Sequence, residues 1–235
     1  MESRRLPLFA ARRLPPKQVD KNLENMPQGI FITLEGGEGA GKSTNLAFIR
    51  QWLERAGRTV VVTREPGGTE LGERVREILL HSRALSITPE SELLLMFAAR
   101  AEHIARVIRP ALAEGKVVLC DRFTDASYAY QGGGRGMAAA RIEVIENWVQ
   151  GNLRPDLTLL LDIPVESGRE RAGQRSAPDR FEQENNDFFG RVRAVYLARA
   201  AQGPGRIRIV DASQPLAQVE QQISVVLKEA LDAAR

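Results

Sequence analysis

The stretch 29-GIFITLEGGEGAGKST-44 decides the fold. Its first half is a short β-rich apolar run, and its second half fits G-x-x-x-x-G-K-[ST] from Gly36 to Ser43. The context is strand before and helix after, with Leu46, Ile49 and Leu53 at helical spacing beyond the lysine. Glycines let backbone N–H groups turn inward around phosphate oxygens, and the helix N-terminus adds the positive end of its dipole. Lys42 can reach the outer phosphates, and the Ser43 hydroxyl can ligate Mg²⁺. The motif reads as a nucleoside triphosphate site. No N-K-x-D guanine motif follows a later strand, which favours an ATP-using phosphotransferase over a GTPase.

Outward from this loop, strand-like and helix-like segments alternate. Strands are expected at 29–35, 58–65, 116–122, 157–163 and 206–212, with helices at 42–56, 70–81 and 138–150 and after Pro215. Thr88-Pro89 has the form of an N-cap with proline at the first helical position, and opens a helix expected to run to about Glu114, kinked at Pro110 and stopped at Gly115. Residues 165–200 read as helical around an arginine-rich middle. Repeated βα units predict an α/β fold, a five-stranded parallel sheet flanked by helices on both faces, with ligands at the C-terminal ends of its strands.

Composition sets limits. The chain has 235 residues, 43% of them hydrophobic, and one cysteine, Cys120. One large domain is expected, without a disulfide framework or a cysteine zinc site. No apolar run approaches the length of a membrane span. The net charge is +3, and residues 1–25 alone carry six Lys/Arg against three Asp/Glu, so the remaining body is formally neutral. That argues against a general nucleic-acid binder. Residues 1–28 are expected to be a flexible extension, and 29–235 a single domain.

Three polar clusters fall directly after the first three expected strands, the glycine loop being the first. In 63-TREPGGT-69, Arg64 leaves a strand end before a forced turn and is placed to fork onto a second phosphate, although a solvated arginine in a plain connection has the same pattern. Asp121-Arg122 closes the third strand, where an acid can organise Mg²⁺. In 130-YQGGGRG-136 the glycines form either a flexible loop or a close backbone approach to ligand. Phe97 and Arg100 share a helix face, fit for stacking on a base and donating to its carbonyl, yet the apolar run beside Phe97 fits a core residue equally. Between Arg169 and Arg180, four arginines read either as a solvated helix end or as a lid over transferring phosphoryl groups, about 169–182. His81 and His103 have no partners at metal-ligand spacing, and Cys120 reads as buried and inert.

Taken together, LEGGEGAGKST, TREPGGT, LLMFAARAEH, CDRFTDASYAYQGGGRG, RPDLTLLLD and DRFEQE resemble the bacterial thymidylate kinases of the nucleoside monophosphate kinase superfamily, from about Gly29 to the last helix. The resemblance implies transfer of the ATP γ-phosphoryl to dTMP with Mg²⁺, in a cytoplasmic homodimer. It implies that Gly36, Gly37, Glu38, Gly39, Ala40, Gly41, Lys42, Ser43 and Thr44 hold ATP. Arg64 and Arg122, with Arg76 nearby, would clamp the dTMP phosphate. Phe97 would stack on thymine, Arg100 bond its O4, Ser127 and Gln131 sit at the base, and Tyr130 lie under the sugar. Glu38 would face the acceptor sugar, and Asp121 with Ser43 order Mg²⁺. Lys42, Arg122, Glu38 and Arg175 would carry the catalysis. Some family members place an arginine just after the loop acid. Gly39 stands there in this chain, so the resemblance assigns the transition-state charge to the lid, first to Arg175 and then to Arg171. The residues themselves leave two alternatives, another nucleoside monophosphate kinase or a non-catalytic nucleotide-binding switch.

Overall fold

The structure, a computed structural model, describes residues 29–81, 85–173 and 180–233. Five parallel strands, β1 (Ile30–Gly36), β2 (Val60–Arg64), β3 (Val117–Asp121), β4 (Leu157–Asp162) and β5 (Ile207–Asp211), lie in the order β2-β3-β1-β4-β5. The central strands β1, β3 and β4 are buried on both faces, as strands covered by helices on both sides must be, with Thr33, Glu35 and Thr158 as buried polar members. The edge strands are partly open, with Val62 39% and Ile209 51% exposed. Register sets Thr33 beside Cys120 on one side and Thr158 on the other, and the two threonine hydroxyls are 2.7 Å apart. The order places β1 and β3 side by side with their connections leaving in different directions. A crevice opens at that switch point, at the C-terminal ends.

Helices cover both faces. Helix α1 (Lys42–Arg55) follows the glycine loop, and α2 (Glu70–Leu80) is capped by the Thr69 side chain, which accepts from Gly72 N. In α3 (Pro89–His103), Thr88 caps as expected, accepting from Ser91 N. The long helix then widens into a π-helical stretch at Ile104–Ile108 and returns to α-helix as α4 (Arg109–Ala113), with Gly115 beyond it at φ 73°. Pro110 thus sits at the start of a new α-segment, where its missing N–H breaks nothing.

Short α5 (Thr124–Ser127) runs directly into a second π-helical segment, Tyr128–Gly134. The triple glycine is therefore neither an open loop nor a ligand-facing strip. A Cβ on Gly133 would sit 2.7 Å from the Arg191 carbonyl, and one on Gly134 2.4 Å from the Phe188 ring, so these glycines let the next layer close in. After α6 (Ala139–Gln150), the expected helix over 165–200 is divided into α7 (Val165–Gly173) and α8 (Asn186–Gln202). Asn185 starts α8 afresh, its Oδ1 accepting from Phe188 N at 2.9 Å. The proposed tail 1–28 and Arg175 lie outside the described residues. Helix α9 (Leu216–Ala233) closes the chain.

The core has two main parts. On one face, Leu34, Leu119 and Leu159 of the sheet meet Ile49, Leu53 and Ile223 of α1 and α9. On the other, Tyr130, Phe188, Val192 and Tyr196 join the π-segment to α8.

Candidate active site

A cavity of about 230 Å³ opens past the C-terminal ends of β1, β2 and β3. The glycine loop forms one wall, the turn after β2 another, and the start of the α5 segment a third.

Cations gather at the loop end. Lys42 Nζ donates to the carbonyls of Gly36, at 3.1 Å, and Gly37, at 2.9 Å. Burial, followed by repulsion from Arg122, lowers the Lys42 pKa. Arg122 is the non-glycine residue at positive φ, 68°, among the described residues. That strained conformation turns its guanidinium back onto the loop, where Nη1 donates to Gly36 O at 2.8 Å and Nη2 to Glu38 Oε1 at 2.7 Å. The Tyr130 hydroxyl donates to the same Glu38 oxygen at 2.9 Å. Burial would raise the Glu38 pKa, but attraction from Arg122 and Lys42 outweighs it and pulls the group down to about 2. Arg76 donates to Pro66 O at 3.1 Å, and exposed Arg64 pairs with Glu73 at 2.8 Å. Lys42, Arg64, Arg76 and Arg122 all line the one cavity.

Ser43, Ala40 and Gly41 line it too, whereas Thr44 is exposed on α1 outside it, and Gly37 borders a smaller hollow beside β4. Gly39 touches the molecule's other half. A Cβ there would lie 1.8 Å from the Gly168 carbonyl, and one on Gly168 would lie 2.5 Å from Glu38 O. With φ at 69° as well, position 39 accepts no side chain, so an arginine cannot be accommodated there in this structure.

Asp121 Oδ1 is buried without a hydrogen-bond partner among the described residues, in the same cavity as the Ser43 hydroxyl. No group of three or more His, Cys, Asp or Glu able to hold a metal occurs among the described residues. Two hard oxygen ligands beside a phosphate-binding loop fit Mg²⁺, which keeps waters and shares its shell with substrate phosphates.

The far end is built differently. Arg100 is 2% exposed, its guanidinium over the Phe97 ring at 4.4 Å and the Phe123 ring at 4.9 Å. Nε donates to Glu65 Oε2 at 2.7 Å, and Nη2 to Phe123 O at 3.1 Å and Ser127 Oγ at 3.0 Å. Nη1 has no partner among the described residues. Gln131 lines the cavity while its Nε2 donates to buried Glu92 at 2.9 Å. Phe97 does not line the cavity. It is 1% exposed and packs with Leu93, Tyr128 and Ile142, and Met96 faces the cavity in its place. Met96 and Arg100 are four residues apart on one face of α3, and Phe97 is rotated by about 100° from Met96.

Sequence patterns gave no sign of several site residues. Glu35, fully buried under the loop, accepts from Phe123 N and the Tyr196 hydroxyl, both at 2.7 Å. Burial, then repulsion from Asp125, pushes it up to about 7. Glu92 holds Arg180 as well, at 2.5 Å, and Arg135 at 3.3 Å. Arg171 bonds the carbonyl of Ala212, at 2.9 Å, and does not line the cavity. Helix or strand periodicity cannot signal these partnerships, because they join residues tens of positions apart.

The thymidylate kinase family model matches residues 34–223. The thymidylate kinases of Pseudomonas savastanoi pv. phaseolicola and Pseudomonas entomophila are each 58% identical to the chain over 207 residues, 88% of this chain and 99% of theirs. The crystal structure of thymidylate kinase from Ehrlichia chaffeensis superposes with a TM-score of 0.69 at 33% identity, covering 86% of this chain and 99% of that one. A parallel sheet in this strand order, a phosphate loop facing a second polar pocket, and relatives matched over almost their whole length agree, and the chain belongs to the thymidylate kinase family.

Proposed function

We propose that this chain transfers the γ-phosphoryl group of ATP to dTMP, giving ADP and dTDP, with Mg²⁺. One observation carries the reading: a single cavity has a triphosphate loop at one end and, at the other, a buried arginine whose Nη1 is unpaired. A base carbonyl would satisfy that donor. The loop from Gly36 to Ser43 would hold the ATP phosphates, with Thr44 just outside the cavity. Arg64, Arg76 and Arg122 would take the dTMP phosphate, and Ser127, Tyr130 and Gln131 would line the nucleoside. Met96, which lines the cavity where Phe97 does not, would be the apolar side chain presented to the base.

The acceptor phosphate has a second pKa near 6, so it is mostly dianionic at pH 7 and needs no general base. The protein's task is to align two anions that repel and to neutralise the charge between them. Lys42 and Arg122 stand at the junction of loop and cavity. Glu38, held ionised, fixes Arg122 and the Tyr130 hydroxyl in one geometry. Ser43 and Asp121 would hold Mg²⁺, which supplies charge neutralisation at the phosphate oxygens when bound. The test is an ADP-release assay with ATP, Mg²⁺ and a panel of nucleoside monophosphates. dTMP should be the preferred acceptor, and the absence of turnover with any of them would favour a nucleotide-binding switch.

A homodimer belongs to the same reading. Trp148 is 84%, Val144 70% and Leu94 57% exposed, and Arg141 pairs with Glu90 at 3.6 Å across α6 and α3, placing these apolar groups on adjoining helix faces. Trp148→Arg should shift the molar mass in light scattering from two chains to one. A cytoplasmic location is also proposed. No helix of the described residues is long and apolar enough to cross a membrane.

A further inference from the structure

Arg100 is nearly sealed from solvent, and a buried guanidinium must be paired. Its counter-charge is Glu65, the residue before Pro66 at the end of β2, which is itself 6% exposed. Glu65 has a second engagement. Its Oε1 lies 2.9 Å from His103 Nδ1, and His103 Nε2 lies 2.6 Å from Thr63 Oγ1. A carboxylate can only accept, so His103 donates through Nδ1; in the neutral ring that leaves Nε2 as the acceptor of the Thr63 hydroxyl proton. His103 is one turn along α3 from Arg100, and Thr63 is two residues before Glu65 on β2. The chain Thr63–His103–Glu65–Arg100 thus ties an edge strand to α3 and ends on the guanidinium whose Nη1 remains unpaired. Among the described residues, the other hydrogen bonds and ring contacts of that guanidinium are to neutral groups: the Phe123 carbonyl, the Ser127 hydroxyl and two aromatic rings.

We propose that Glu65, oriented by His103 and Thr63, is a positioning residue that fixes Arg100 for selection of the nucleobase. The proposal rests on the functional reading above, in which a base meets Arg100. Arg100 is donor-only, so its fixed Nη1 accepts a base with a carbonyl at that point and rejects one with an amino group there. Thymine and cytosine differ in this way. Held in place by Glu65, the guanidinium discriminates; released, it can turn aside, and the rejection weakens along with the attraction.

The experiment measures dissociation constants for dTMP, dCMP and ATP by calorimetry, with unfolding midpoints, for the wild type, Glu65→Gln, Thr63→Val and Thr63→Ser. Glu65→Gln keeps the shape and removes the charge. It should weaken dTMP by roughly 10- to 100-fold, as losing a charge-assisted contact does, leave ATP within about twofold, and narrow the dTMP-over-dCMP preference. Thr63→Val removes only the outermost link and should weaken dTMP by about threefold, with Thr63→Ser restoring it. A folded Glu65→Gln protein with wild-type dTMP affinity overturns the proposal. Equal weakening of dTMP and ATP, or an unchanged preference over dCMP, overturns it too, because a merely structural acid gives that pattern. If Glu65→Gln does not fold, the Thr63 pair decides, and unchanged dTMP binding in Thr63→Val overturns the proposal. A wild type that binds dTMP no better than dCMP overturns the functional reading with it, whereas a discriminating wild type beside a discriminating Glu65→Gln refutes the positioning role alone.

Discussion

The two ends of the cavity hold positive charge by opposite means. At the loop end, backbone does most of the holding: Lys42 and Arg122 both rest on the Gly36 carbonyl, and Arg122 gets there through a left-handed backbone that few non-glycine residues adopt. At the far end, side chains do it: Arg100 lies between two rings, on a carboxylate that is anchored in turn. The loop end is partly open, with Ser43 and Arg64 exposed, and the side chains of the far end are almost fully buried. Polyphosphates are alike, so a generic cradle of backbone groups serves them, whereas telling one base from another requires groups that cannot move.

The sharpest test of this contrast lies within α3. Phe97→Ala should destabilise the protein by about 3–5 kcal/mol, because a buried ring leaves a cavity. Met96→Ala should cost far less stability and raise the KM for dTMP while sparing that for ATP. Denaturant unfolding and steady-state kinetics on the pair give both numbers. If Phe97→Ala raises the KM for dTMP with stability intact, the face assignment is reversed.

At the loop end, Lys42→Ala should lower kcat by roughly 10²- to 10³-fold, as loss of a preorganised charge contact does, with little change in unfolding midpoint or in KM for dTMP. Should the KM for dTMP climb as steeply as kcat falls, the two ends are not separate. Gly39→Ala should destabilise by at least about 2 kcal/mol and weaken ATP, since the added methyl group meets both an unsuitable backbone angle and a carbonyl. Calorimetric titration should find dTMP binding nearly unaltered in that variant.

The smallest effect concerns two carboxylates three residues apart. Glu35 is raised from 4.5 to about 7, so the folded state favours its protonated form. Its stabilising contribution is full below about pH 4.5 and is lost as pH rises through about 7. Glu38 is lowered to about 2, so its contribution is full above about pH 4.5 and is lost as pH falls through about 2. Glu35→Gln should therefore gain midpoint relative to the wild type between about pH 5 and pH 8, by a few degrees, in thermal melts across that range. A constant offset at all pH values would remove Glu35 from the pH response.

Much of the fold was legible because its signals are local. The strands are short apolar runs, the glycine loop is contiguous, and Thr88-Pro89 and Gly115 mark the ends of the long helix. Legibility failed where neighbours in space decide. In Leu93-Leu-Leu-Met-Phe97 every side chain is apolar, so nothing local says which one faces the cavity. Asn185 was hidden inside a helical pattern as an ordinary polar residue, yet its side chain begins a new helix. Glu35, Glu65 and Glu92 carry no local signal, because their side-chain partners lie 35 to 161 positions away; Arg100 is 35 residues from Glu65, and Tyr196 is 161 from Glu35.

The contact of Gly39 with Gly168 also bears on the routes open to this protein as its sequence drifts. Two backbones lie against each other with no room for a methyl group on either. A loop arginine of the kind some family members carry is thus not reached by substituting position 39 alone. It would first require α7 to be redrawn at its base and the loop to leave its left-handed turn, and each change alone meets a clash. At position 39 the path stays closed until the loop and the base of α7 change together.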